Sequence, residues 1–212
     1  MHIPDGFLNA ATMTGTGIAA AGGLANAVRI TGKTIGEKQV PLMGVMAAFV
    51  FAAQMLNFPV AGGTSGHLIG AALCAILLGP WASVLIISLV LIAQCLIFQD
   101  GGLLSLGANI LNMAIIGGLC SYYIYRGLQK ILGYKQHSNV ISAFAAAWVS
   151  VVLASLACAL ELAISGTAPV LVVVPAMTTV HAIIGIGEGL ATVAVLALVQ
   201  SARPDLLKME KI

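Results

Sequence analysis

Charge is what this 212-residue chain has least of. Only 8% of its residues are Asp, Glu, Lys or Arg, where a soluble domain carries about 25%, and 60% are hydrophobic. No polar stretch is long enough to form a soluble domain, so a single integral membrane unit over residues 1–212 is expected. Its apolar runs are too long for barrel strands, which makes the expected fold an all-α bundle of membrane helices. A net charge of +2 is too small to suggest a nucleic-acid partner. No basic region precedes the first apolar run, so a cleavable signal peptide is not expected. The four cysteines, Cys74, Cys95, Cys120 and Cys158, lie far apart in apolar runs with no C-x-x-C pair, which fits small buried side chains. A nucleotide site is lacking too. Ala27-x-x-x-x-Gly32-Lys33-Thr34 mimics a P-loop, but it lacks the first glycine and no strand precedes it. It reads as a basic turn between helices, and any energy from nucleotide hydrolysis must come from another subunit.

What is present is a series of seven apolar segments, at about 8–28, 41–57, 67–80, 82–98, 104–126, 140–163 and 174–200. The third is short, and Gly79-Pro80-Trp81 punctuates its junction with the fourth. The nine basic residues fall in three clusters: Arg29, Lys33 and Lys38; Arg126, Lys130 and Lys135; and Arg203, Lys208 and Lys211. With seven spans all three share one side, which the positive-inside rule makes cytoplasmic, leaving the amino terminus outside and a cytoplasmic tail at 201–212. Segment one is rich in Gly, Ala and Thr and is expected to pack against protein rather than lipid. The pairs Ala21-x-x-x-Ala25 and Ala48-x-x-x-Ala52 are expected to serve internal packing.

On this topology the outer side collects Met1, His2, Asp5, the 57–67 connection, His67 and Asp100. Glu161 ends segment six there and His181 starts segment seven just below, while Glu188 alone is deep and should be neutral or paired inside the bundle. His137 stands alone in a basic loop as a solvated residue. A histidine at position 2 puts the Met1 α-amine, the His2 amide nitrogen and the His2 imidazole within one dipeptide, able to close two fused chelate rings. Such a planar nitrogen set suits Ni(II) or Cu(II) better than Mg(II) or Ca(II). A frayed terminus with a chance histidine is the alternative. His67, after a run with three glycines, could supply a fourth donor, or could be a helix-start histidine hydrogen-bonded at the interface. A different class is raised by Gly63-Thr64-Ser65-Gly66 with His181, the pairing of a rhomboid-like intramembrane serine protease in which His181 would activate Ser65.

These stretches resemble a known family. Met-His-Ile-Pro-Asp-Gly-Phe-Leu at 1–8, Gly-Gly-Thr-Ser-Gly-His-Leu-Ile-Gly at 62–70, Leu-Gly-Pro-Trp-Ala at 78–82, Gln-Asp-Gly-Gly-Leu-Leu-Ser-Leu-Gly-Ala-Asn-Ile-Leu-Asn-Met at 99–113 and Val-His-Ala-Ile-Ile-Gly-Ile-Gly-Glu-Gly at 180–189 are similar, in order, to NikM and CbiM. Those are the substrate-capture subunits of energy-coupling-factor importers of nickel and cobalt, in bacterial or archaeal cell membranes. The resemblance implies a metal site made by the Met1 amine, the His2 amide and imidazole, and the His67 imidazole in a square plane. Residues 1–8 would be a metal-binding loop tucked into a bundle over about 8–200, with one helix added to the usual six. It implies a transport subunit rather than an enzyme, with no cofactor and with Ni(II) or Co(II) as cargo. Implied partners are a transmembrane coupling subunit, two cytoplasmic ATPases and a small membrane accessory protein. Pro4-Asp5 resembles the nickel branch, where the cobalt branch often reads Met-Glu. Asp5 and Ser65 are the residues expected to orient the imidazoles.

Overall fold

The computed structural model describes residues 1–37, 39–60 and 64–205; Lys38, the loop tip at 61–63 and the tail from 206, with Lys208 and Lys211, lie outside the described residues. Helices dominate: α1 (Ala10–Thr34), α2 (Val40–Gln54), α3 (Ala71–Leu78) and α4 (Pro80–Phe98) come first. They are followed by α5 (Leu106–Leu132), α6 (Gln136–Ile164) and α7 (Val170–Ala202). Four of these are long and apolar enough to cross a membrane: α4, α5, α7 and the His137–Ile164 stretch of α6. The matching apolar runs, at about 82–98, 104–126, 140–163 and 174–200, locate them to within a turn or two.

The third run is the one that folds differently. Residues 67–70 are not helical, and α3 is only eight residues, roughly 12 Å long, too short to span a bilayer alone. Every residue of α3 is buried, as a helix apolar on all sides must be. Ahead of it, β1 (Phe58–Val60) and β2 (Thr64–Gly66) form an antiparallel hairpin with Phe58 opposite Gly66, Pro59 opposite Ser65 and Val60 opposite Thr64. The sequence reading treated this stretch as a plain connection. Non-helical backbone is tolerated within a membrane bundle only when other parts of the protein satisfy it. Here Gln54 Nε2 on α2 donates to the Ile69 carbonyl at 2.8 Å, and Glu188 on α7 receives the Ile69 and Gly70 amides.

α1 also departs from expectation. Asn9 caps it, its side chain accepting from the Thr12 amide at 2.8 Å. Yet only Ala20, Ala27 and Thr31 are buried along its 25 residues, and Ile18 and Val28 are exposed. It lies on the outside of α4 and the start of α5, touching them over a narrow strip where Gly107 meets the Gly17 backbone and Gly23 meets Ile115. Most of its small residues face outward. Ala21, Ala25, Ala48 and Ala52 are all exposed, so neither small-residue pair serves internal packing. Gly185 and Gly189 do: they seat α7 against Trp148 and Phe144 of α6, and Trp148 Nε1 donates to the Ala182 carbonyl at 2.9 Å. The P-loop look-alike is the last turns of α1, a helix and not a phosphate-cradling loop.

The chain direction sorts the charges. Residues 1–9 sit at the end of the bundle formed by the starts of α1 and α5 and the end of α6, with Asn9 Nδ2 donating to the Ile164 carbonyl. Arg29, Lys33, Arg126, Lys130, Lys135 and Arg203 lie toward the opposite end. Asp5, Asp100 and Glu161 lie at the leader's end, which is therefore the acidic one.

Candidate metal-binding site

The leader, residues 1–9, is packed into the bundle like a strand without a sheet. Ile3 is paired to Asn109 through both backbone groups: its amide donates to Asn109 Oδ1 at 2.8 Å, and Asn109 Nδ2 donates to its carbonyl at 3.2 Å. The Gly102 amide donates to the same carbonyl at 2.9 Å. Asp5 receives the amides of Leu103, Leu104 and Ser105 at 3.1, 2.8 and 3.3 Å, in the turn that leads into α5. Ser105 Oγ donates to the Pro4 carbonyl, and Thr167 Oγ1 donates to the Phe7 carbonyl. Met1 and Ile3 are fully buried and His2 is 3% exposed.

This docking brings Met1, His2 and His67 together. The His2 and His67 rings lie 4.6 Å apart between centroids, tilted by 35°. The Met1 amine donates to the Ser65 carbonyl and, at 3.1 Å, to Ser65 Oγ; the His2 amide reaches the same hydroxyl at 3.3 Å. His67 Nδ1 is 2.7 Å from the Leu68 carbonyl, which can only accept, so Nδ1 carries the proton and Nε2 the lone pair. That Nε2 is buried with no hydrogen-bond partner. His2 Nε2 faces Asp100 at 3.7 Å, beyond direct hydrogen-bonding range but within electrostatic reach. Like the same atom of His67, it is buried with no hydrogen-bond partner.

Burial keeps these groups uncharged, each with a free lone pair. It lowers the Met1 amine to about 5, against the opposing pull of Cys158 and Asp100. His2 falls to about 3, first through burial and then through the neighbouring amino group, with a hydrogen bond to the Asp100 backbone carbonyl pulling the other way. His67 is held well below the usual imidazole range by burial, the amino terminus and His2. His2 therefore meets Asp100 as a neutral ring and not as an ion pair. Among the described residues no three His, Cys, Asp or Glu side chains converge as a conventional metal site. A metal here would need main-chain nitrogens to complete its donors. A cavity of about 600 Å³ beside His2, Ser65 and Asp100 leads in from the acidic end.

Comparison with known proteins settles the family. Residues 2–206 match the profile described as "Cobalt uptake substrate-specific transmembrane region". The chain belongs to the CbiM family of nickel and cobalt transport proteins. It is 40% identical over 215 residues to a putative fused nickel transport protein NikMN of Archaeoglobus fulgidus, covering 99% of this chain and 69% of that one. It is 41% identical to a putative metal transport protein of Haloquadratum walsbyi, covering 98% and 93%. A crystal structure titled as a truncated transition metal transporter superposes with a TM-score of 0.88 at 36% identity, covering 95% of this chain and 99% of that one.

Within this CbiM-family fold the rhomboid-like pairing fails on geometry. Ser65 Oγ is taken by the Met1 amine and the His2 amide, while His181 Nδ1 is turned to the Met177 carbonyl at 2.7 Å and its Nε2 has no hydrogen-bond partner. A nucleophile needs its hydroxyl hydrogen-bonded to its base, and among the described contacts His181 meets the Ser65 backbone and not its Oγ. Ser65 was expected to orient the imidazoles; its Oγ holds the leader's amine and amide instead. Asp5 anchors the leader's backbone to α5. Sequence reasoning missed Asn109, the strand-like partner of Ile3, and the role of Asp100 opposite His2. The 99–113 stretch carries a family resemblance in the sequence, which assigns no contact to Asn109.

Gly102 shows how closely the leader fits. A Cβ there would lie 2.1 Å from Asp5 Oδ1 and 2.3 Å from the Asp5 amide nitrogen. Gly102→Ala is expected to lift the leader, since overpacking against backbone costs about 1–3 kcal/mol, or about 5- to 150-fold in the open population. Release of Met1 by an aminopeptidase, slow in the native protein, should accelerate accordingly. Unchanged protection would mean that the leader docks some other way.

Proposed function

We propose that this protein is the metal-capture subunit of an energy-coupling-factor importer, holding Ni(II), with Co(II) the second choice, on the Met1 amine, the His2 amide and imidazole, and the His67 imidazole. The observation that carries this reading is the buried meeting of Met1, His2 and His67, with His67 Nε2 left unpartnered and its Nδ1 fixed by a backbone carbonyl. Four nitrogens in a plane suit Ni(II) more than Co(II), which generally prefers other geometries. In this reading residues 1–212 form one membrane domain whose seven helices put the leader outside and the basic ends in the cytoplasm, in a bacterial or archaeal cell membrane. Ions would enter from the acidic side. Transport would draw on a transmembrane coupling subunit, two cytoplasmic ATPases and a small membrane accessory protein, so the chain itself catalyses nothing.

His67→Ala tests the donor set. Removing a direct donor is expected to weaken nickel binding by more than the roughly 10- to 100-fold typical of outer partners. It should also move the nickel absorption band as solvent replaces an imidazole. Calorimetry and absorption spectra of the purified protein read both. Native affinity with an unshifted band would remove His67 from the site.

A further inference from the structure

His67 is fully buried, and the segment that carries it is held from α7. Thr64 Oγ1 donates to Met177 Sδ at 2.9 Å. Gly66 lies against Ile184, close enough that a Cβ would be 2.6 Å from its Cδ1. The Ile69 and Gly70 amides donate to the two carboxylate oxygens of Glu188 at 2.8 and 2.7 Å. Residues 64, 66 and 69–70 thus follow residues 177, 184 and 188 up one helix face.

The Glu188 contact is the strongest of these. Amide donors to a carboxylate make charge-assisted bonds, about twice as strong as neutral ones. They also fill a structural gap: α3 has no side-chain cap of its own, because its N-cap position is Gly70, in the left-handed region at φ 77°. Glu188 supplies that cap from another helix, two residues after His67. It is 3% exposed, it faces the 67–70 backbone, and it touches neither Met1 nor His2 in the described contacts.

We infer that Glu188 is a positioning residue for His67: by clamping the Ile69 and Gly70 amides to α7, it sets where the His67 imidazole stands opposite the leader. This rests on the proposed donor set, and it assigns the deep glutamate a use in metal capture without making it a ligand. It also ties that imidazole to α7, so that a displacement of α7 along the bundle withdraws one donor while the Met1–His2 claw stays on its own anchors at Asn109 and Asp5.

Glu188→Gln keeps the size but turns one acceptor into an NH2 group that confronts a backbone N–H. In the purified full chain, Glu188→Gln should bind nickel about 10- to 100-fold more weakly, the range for groups that orient a ligand. Its nickel absorption band should move toward that of His67→Ala. Band position reports only metal-loaded, folded protein, so partial unfolding cannot imitate the shift. The double variant His67→Ala/Glu188→Gln should bind nickel no more weakly than His67→Ala alone, because a positioner has nothing left to position. Losses that multiply, or a Glu188→Gln band identical to the native one, would overturn the inference. A His67→Ala variant with native affinity and band would instead strike down the donor set itself, an outcome separate from the other two.

Discussion

Two residues added ahead of Met1 are expected to abolish nickel capture while leaving the helical bundle folded. The extension converts the α-amine to a secondary amide, whose nitrogen no longer offers a free lone pair, and so removes the donor that both anchors and closes the first chelate ring. Space makes the loss sharper. Met1 is 0% exposed, and its amine is held between the Ser65 carbonyl and hydroxyl, with Cys158 Sγ 3.8 Å from the Met1 carbonyl. An added residue has to displace that wall or pull the leader out. Neither event touches the contacts between α6 and α7 or the buried α3, so thermal unfolding should stay cooperative and close to native. Calorimetry with nickel on matched native and extended proteins measures the first effect, and a melting curve the second. Nickel titrating the extended protein as it does the native one would take the amino group out of the donor set.

The long spans were legible because hydropathy over about 20 residues is a bulk property, and α4 to α7 obey it. The same measure cannot tell lipid from protein as a solvent. It therefore read 67–80 as another span, where the chain instead turns a loop around Glu188 and buries a short helix in its own bundle. Composition misled in the other direction for α1. Small residues permit close packing but do not state on which side the neighbour lies, and most of those on α1 look outward. At the site, donor chemistry raised Met1 and His2 as a chelate and His67 as a fourth donor, with a frayed terminus and an interface histidine as the alternatives. The full set came from the family resemblance, and the fold brings the three residues together. Asn109 was legible from neither. Its pairing with Ile3 spans 106 positions and depends on the register of the leader against 102–109, which no local pattern encodes. The π-helical stretch Ile110–Ile116 was equally hidden, and it sets Asn112 Nδ2 2.6 Å from Glu161.

Docking of the leader also changes what acid should do. An undocked amine titrates near 8.0, and the docked one near 5, because burial penalises its charged form. The undocked leader therefore takes up the extra proton between these values. Docking is fully favoured above pH 8 and weakens about tenfold per unit as pH falls toward 6.5. Below that the undocked His2 ring takes up a proton that the docked ring, held near 3, refuses, so the loss steepens and continues below pH 5. Metal binding follows from the same balance. A docked leader presents a bare amine at neutral pH, and His2 and His67 are bare as well. Only the His2 amide proton is then left to displace, so nickel affinity should rise about tenfold per unit between pH 6 and 8. Below about pH 5 the amine competes too and the dependence should steepen to about a hundredfold per unit. Calorimetry in buffers of different ionisation enthalpy counts the protons directly: one per nickel at pH 7 is expected. Two would mean that the amine is still charged when the metal arrives, and that the leader docks after capture and not before it.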